Sequence, residues 1–230
     1  MPKNMTVLYE DNHLLVVNKP TGLATMGTTE QPSAYGLAAE YLKVKYRKPG
    51  NVFVGIVSRL DKLVSGVLVL ARTSKAAARL SEQIRNQQVD KRYWAVVEGN
   101  CHHSAWYTLE NWIRKDDASQ RMVCAANQSP TAQLAALRLR TLKYDQHCSW
   151  LEVQLLTGRK HQIRIQLAEL GFPIVGDRKY GSTVSFPMGI ALHCHQVTVS
   201  HPTKKETMSF QCFPPKSWMR WRKTLNIELQ

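Results

Sequence analysis

Ser58-Arg59-Leu60-Asp61-Lys62-Leu63-Val64-Ser65-Gly66 is the stretch from which the rest of the chain is read. An apolar run with β character, Val52 to Val57, precedes it, and a second, Val67-Leu68-Val69-Leu70-Ala71, follows it. Short β-branched runs of this kind predict buried strands. Between them, two opposite charges stand two residues apart, Arg59 and Asp61. A polar connection between buried strands is where a rigid scaffold can present reactive groups. The plain structural reading is an ordinary turn with one arginine–aspartate contact.

The composition narrows the classes. With 43% hydrophobic and 21% charged residues, the 230-residue chain has an ordinary globular make-up and enough length to bury a core. Lys and Arg number 31 against 17 Asp and Glu, a net charge of +14 that predicts a polyanionic partner, nucleic acid before an acidic membrane surface. The five cysteines, Cys101, Cys124, Cys148, Cys194 and Cys212, are odd in number and widely spaced. That argues for free thiols in a reducing compartment. His193-Cys194-His195 is the one cluster resembling metal ligands, and no second ligand group stands at zinc-like spacing, so no metal is expected. Met1 to Asn4 lacks the apolar core of a signal peptide, and no apolar run approaches the roughly 18 residues of a membrane span. A cytoplasmic protein is expected.

In chain order, Val7-Leu8-Tyr9 and Leu14-Leu15-Val16-Val17 read as strands around a polar turn, ended by Asn18-Lys19-Pro20-Thr21-Gly22. After a polar loop, 23–32, Ser33 caps a helix reaching about Arg47, with Leu37, Tyr41 and Val44 on one face. Thr73-Ser74 opens a second helix over 75–88, with Ala77, Leu80 and Ile84 as its apolar stripe. Lys91 to Gly99 alternates as a strand, and Tyr107 to Val123 reads as a hairpin. Residues 132–143 and 149–156 are expected to be a pair of long strands. Leu156-Thr157-Gly158-Arg159-Lys160-His161-Gln162-Ile163-Arg164 then turns into a helix from His161 to Leu170, ended by Gly171, with Ile163, Leu167 and Leu170 inward. A basic amphipathic end, Lys216 to Lys223 with Trp218 and Trp221, completes the chain.

Several of these segments carry one resemblance. Arg59, Leu60, Asp61, Ser65 and Gly66 resemble the signature H-R-L-D-x-x-T-S-G of the RluA family of RNA pseudouridine synthases, with Ser58 for the histidine and Val64 for the threonine. Lys19, Pro20 and Gly22 are similar to the family's first motif, and Lys91-Arg92-Tyr93-Trp94-Ala95 to its K-x-Y-x-A strand. Thr157 to Arg164 resembles T-G-R-x-H-Q-I-R-x-H, with Gln166 in place of the last histidine. Pro173-Ile174-Val175-Gly176-Asp177, Tyr180-Gly181, Leu192-His193 and His201-Pro202 follow in family order. The resemblance spans residues 5 to about 214 without an internal repeat.

It implies an α+β fold, a long bent mixed and largely antiparallel sheet with flanking helices, forming a single catalytic domain over residues 1–230 with no separate N-terminal RNA-binding module. The implied activity isomerises uridine to pseudouridine in structured RNA, ribosomal or transfer, by a monomer that needs no cofactor and no membrane. Asp61 falls on the nucleophile, Arg164 on the arginine paired with it, and Tyr93 on a tyrosine against the target base. Arg59 matches the arginine that supports a flipped nucleotide, and Leu192 an aliphatic residue of the same pocket. Lys19, Arg92, Arg159 and Lys160 are expected to contact the RNA backbone. Two other classes fit part of the pattern: an inactive RNA-binding relative, and a hydrolase using Asp61. A glycosidase needs a second carboxylate about 5–10 Å away, and the motifs offer only Asp177.

The charge excess has a measurable consequence. Affinity for structured RNA is expected to fall with added salt, with a log–log slope of about −0.7 for each phosphate neutralised on single strands. Filter binding from low to physiological salt measures it, and a flat titration contradicts the nucleic-acid reading.

Overall fold

The computed structural model describes residues 5–27 and 31–226. Part of the loop 23–32 singled out in the sequence, residues 28–30, therefore lies outside the described residues. The strands are β1 (Thr6–Glu10), β2 (Leu14–Lys19), β3 (Gly55–Ile56), β4 (Ser65–Ala71), β5 (Asp90–Glu98), β6 (Tyr107–Asp116), β7 (Arg121–Ala125), β8 (Gln133–Tyr144), β9 (Cys148–Leu155), β10 (Leu192–Ser200) and β11 (Thr207–Gln211). The helices are α1 (Ala34–Lys45), α2 (Ser74–Arg85), α3 (Gln162–Glu169) and α4 (Met219–Thr224). The mixed α+β class expected from the sequence is the one found. No helix among the described residues is long and apolar enough to cross a membrane.

The chain divides into two compact units: residues 1–91 with 194–214, and residues 92–193 with 215–230. In the first, the strand order is β1-β2-β4-β10, with β3 on β4 and β11 on β10. Leu14 to Val17 and all of β4 are buried, as continuous apolar runs require when both faces of a strand are covered. Asp11 closes the β1–β2 turn by accepting from the backbone N–H groups of His13 (2.8 Å) and Leu14 (2.7 Å) and pairing with His201 Nε2 (2.7 Å). Burial opposes its charge, but these bonds and one from Tyr9 outweigh it and hold the carboxyl at about 2.

Ser33 and Thr73 cap α1 and α2 by accepting from Gly36 N and Ala76 N, as such residues do. The buried faces, however, are Ala34, Ala38 and Leu42 on α1 and Ala76 and Leu80 on α2. On α1 they replace the expected stripe through Leu37, Tyr41 and Val44; on α2, Leu80 is buried as expected, while Ala77 and Ile84 of its stripe are only half-buried. Small alanines let a helix approach closely, and Val44 is left 72% exposed.

In the second unit the order is β5-β9-β8-β6-β7, with antiparallel ladders throughout. Opposed residues fix its two faces. Tyr93, Val153, Leu139 and Tyr107 form one cross-strand row, and Arg92, Gln154, Arg138 and Thr108 form the next, on the other face. Ile165 of α3 and Tyr180 pack with Ala135 and Ile113. By the same alternation, Ala135 lies on the Tyr93 face.

Gly66 is a glycine that the first unit cannot replace. It sits at φ +124°, and a Cβ there would lie 2.2 Å from the Cys194 carbonyl oxygen on β10. Strain and overlap act together, so Gly66→Ala is expected to cost at least ~2 kcal/mol of stability. Urea denaturation of the variant beside the wild type measures it.

Candidate active site

The 58–66 segment connects β3 to β4 and is clamped from one side. Thr25 Oγ1 donates to the Leu60 carbonyl (2.8 Å) and accepts from Leu60 N–H (3.0 Å). Gly22 N–H donates to the Lys62 carbonyl (2.8 Å), and Val64 N–H closes a turn on the Asp61 carbonyl (3.1 Å). The backbone on both sides of Asp61 is thus fixed, while its side chain is half-buried and Arg59 is exposed. Val64, the departure from the threonine of the motif, is buried and takes part in the core.

Lys19 departs from expectation. A fully buried side chain cannot contact an RNA backbone at the surface, and Lys19 has no exposed area. Its ammonium donates to the carbonyls of Pro20 (3.0 Å) and Leu23 (2.7 Å), tying the first motif to itself. Burial pushes its pKa down to about 7, and the Asp61 carboxylate pulls it the other way. Lys19 is therefore an electrostatic neighbour of Asp61 inside the first unit.

In the second unit, the loop entering α3 is built around Gln162. Its Oε1 accepts from Thr157 Oγ1 (2.8 Å) and Arg159 N–H (2.9 Å), and its amide donates to the Ala136 carbonyl (3.0 Å). His161 precedes the helix in the left-handed region, φ 54°, so α3 starts at Gln162 and not at His161. From Gln162 to Leu167 every residue is buried, in place of the expected one-sided stripe. The side-chain amides of its polar members are bonded, although the Gln166 Oε1 is buried without a partner. Gln166, where the motif has histidine, donates to Asn111 Oδ1 (2.8 Å) and the Ala135 carbonyl (3.1 Å).

Arg164 is 3% exposed and forms a bidentate pair with Asp177, Nε to Oδ2 at 2.6 Å and Nη2 to Oδ1 at 2.8 Å. Its Cζ stands 5.0 Å from the Tyr180 ring centroid. Neither partner was foreseen as one. The signal available was that Asp177 is the only acid in the motif series besides Asp61. Tyr93 is buried on β5, and Leu192 is buried at the start of β10. Arg159 and Lys160 are exposed, Arg159 Nε donating to the Leu134 carbonyl (3.0 Å). Arg92 sits on the face opposite Tyr93, 3.4 Å from Glu152, which also binds Arg140 at 2.7 Å. Adjacent strand residues point apart, so Arg92 and Tyr93 cannot serve one face.

Comparison with known proteins bears on the whole chain. A sequence model of the RNA pseudouridylate synthase family matches residues 13–169. The uncharacterized RNA pseudouridine synthase YhcT of Bacillus subtilis is 33% identical over 207 residues, 88% of this chain and 66% of that protein. This chain thus spans just under two thirds of that relative. The dual-specificity RNA pseudouridine synthase RluA of Haemophilus influenzae is 31% identical over 216 residues, 90% of this chain and 91% of that protein. Among solved structures, human RNA pseudouridylate synthase domain containing 4 superposes with a TM-score of 0.81 at 25% identity, covering 97% of this chain and 94% of that one.

The Lys19–Asp61 coupling can be read directly. Asp61→Asn removes the charge that holds the Lys19 value up, so the lysine midpoint is expected to fall below about 7. Heteronuclear NMR of the lysine Cε resonance measures it, and an unmoved midpoint contradicts the coupling. Linkage fixes the sign for stability. Between about 7 and the unfolded value near 10.4, the unfolded chain binds the proton and the folded chain does not. This group's contribution therefore makes the protein more stable as pH rises through that window.

Proposed function

The chain belongs to the RluA-type family of RNA pseudouridine synthases, and from that premise we propose that it isomerises specific uridines in ribosomal or transfer RNA, with Asp61 as the nucleophile. The observation that carries this reading is the clamp on Leu60 and Lys62, which fixes the backbone on both sides of Asp61 and leaves its carboxylate half-buried beside a buried lysine. A nucleophile on a fixed loop loses little freedom on meeting its substrate, which is where much of the rate of an oriented reaction arises. The described chain works in this reading as one catalytic domain, as a monomer, in the cytoplasm.

The isomerisation breaks the C–N glycosidic bond, turns the detached base and joins its C5 to the sugar. No electron is gained or lost overall: the C5 proton leaves to solvent and N1, released from the sugar, takes one up. Asp61 attacks or polarises the sugar and is released when the C–C bond forms. In this reading Arg164 keeps Asp61 charged and aimed, the role of the family arginine that it matches, while Asp177 holds its Nε–Nη2 edge. Tyr93 stacks on the base and Leu192 packs beside it. The base must leave its stack at a cost of a few kcal/mol, and the exposed, planar Arg59 supports the flipped nucleotide. Arg159 and Lys160, both exposed, take phosphates.

The test is tritium release from RNA labelled at uridine C5 under single turnover, with product mass as a second readout. Asp61→Asn is expected to fold, bind RNA and release no tritium. Arg164→Lys keeps the charge, loses the fork and is expected to slow release by about a hundredfold or more. The double variant is expected to be no worse than Asp61→Asn, because residues acting as one unit are not additive. Wild-type release from Asp61→Asn overturns the nucleophile assignment, and free uracil in place of pseudouridine identifies a hydrolase.

A further inference from the structure

His161, Asp177 and Tyr180 stand in the motif series, yet the reaction as written gives them no task. Asp177 and Tyr180 also lie beyond the stretch matched by the family model. In the second unit Asp177 and Tyr180 meet at Arg164, and His161 bonds to Tyr180. The Asp177 fork holds one edge of the guanidinium. The fork restrains the guanidinium within its own plane. A ring packed on the group adds a restraint of a different kind, on the tilt of that plane.

Arg164 Cζ lies over the Tyr180 ring, 5.0 Å from its centroid. The ring is itself held at its far end. Its hydroxyl accepts from Met122 N–H (3.2 Å) on β7 and hydrogen-bonds His161 Nδ1 (2.8 Å), whose ring stands edge-on at 5.7 Å. Lys179 Nζ donates to the Gln120 carbonyl (2.8 Å), so the short 3-10 turn Arg178–Tyr180 is tied to the β6–β7 hairpin at two points. Tyr180 is 8% exposed, and an ordinary core tyrosine would need no more than one hydroxyl partner.

We propose that Tyr180 is a positioning residue for the reaction: its ring face sets the tilt of the Arg164 guanidinium, and its hydroxyl anchors that ring to the β6–β7 hairpin and to the start of α3. The proposal rests on Arg164 acting in the reaction proposed above. It separates two jobs that one buried arginine needs done. Asp177 fixes the edge of the group, and Tyr180 fixes its plane.

The experiment keeps the shape of the ring and changes its electron density. Tyr180→Phe serves as reference, and phenylalanines with progressively fluorinated rings are placed at position 180 by nonsense suppression. Fluorine weakens the ring quadrupole that attracts the cation. At saturating RNA, kcat is expected to fall stepwise along the series by roughly 3- to 30-fold in total, with KM and the melting temperature unchanged. The Arg164 Nε–H resonance is expected to move in the same order. A flat kcat series, or a fall in kcat that only tracks melting temperature, overturns the proposal and leaves Tyr180 a packing residue. A resonance that ignores fluorination overturns the ring contact itself. If the wild type makes no pseudouridine, the functional reading fails instead, and the resonance series then decides the ring contact alone.

Discussion

A buried guanidinium has to be answered by a buried carboxylate, and in the second unit the Arg164–Asp177 pair is that answer. Removing one member of such a pair strands a charge in a low-dielectric interior, typically a loss of about 3–5 kcal/mol. The surrounding architecture follows from meeting this constraint. Arg164 can be buried because α3 is enclosed on all sides, and α3 can be enclosed because Gln162 and Gln166 bond to β8 and to the β6 residue Asn111. The left-handed turn at His161 lets the chain leave the loop sharply enough to start the helix at Gln162. Thr157, Gln162 and the Gln166 amide thus tie the loop and the helix to β6 and β8.

The first unit meets a similar constraint with different chemistry. Lys19 has no carboxylate in its hydrogen bonds; two carbonyls of its own motif receive it, and Asp61 contributes through space. A lysine held this way gives a field at Asp61 without occupying the carboxylate oxygens with a direct bond of its own. The clamp through Thr25 and Gly22 then keeps the loop from collapsing onto that charge. Gly66 completes the segment by letting β4 and β10 approach at Cys194 closer than any Cβ would allow.

How much of this was legible in the sequence depended on which physical signal a residue carries. Strands announced themselves by apolar runs and alternation, and Leu14–Val17, Val67–Ala71 and the β6–β7 hairpin lie where those patterns put them. Caps at Ser33 and Thr73 were legible because one side-chain oxygen decides them. Helix faces were less so: large apolar residues drew the stripe of α1 to Leu37 and Val44, whereas the contact face is set by how near Ala34 and Ala38 allow the helix to come. Partner choice was the least legible. Periodicity says which face of β5 Arg92 shares with Trp94, and the K-x-Y strand already implied that Arg92 and Tyr93 point apart. It says nothing of Asp177 meeting Arg164 thirteen residues on, or of Lys19 turning inward.

That inward turn changes how the charge excess should be understood. The chain carries +14, and the motif cations divide into two populations. Lys19 and Arg164 are buried and spend hydrogen bonds on protein groups, while Arg59, Arg159 and Lys160 are exposed. Exposed charges are screened within a Debye length of about 8–10 Å at ordinary salt, and buried ones much less. The exposed motif cations and the buried ones therefore answer to different surroundings. Ionic strength acts on the first population and leaves the second nearly untouched. A basic composition thus has two meanings in one chain: the surface share bears on encounter with a polyanion, and the buried share is tied into the fold by hydrogen bonds to protein groups.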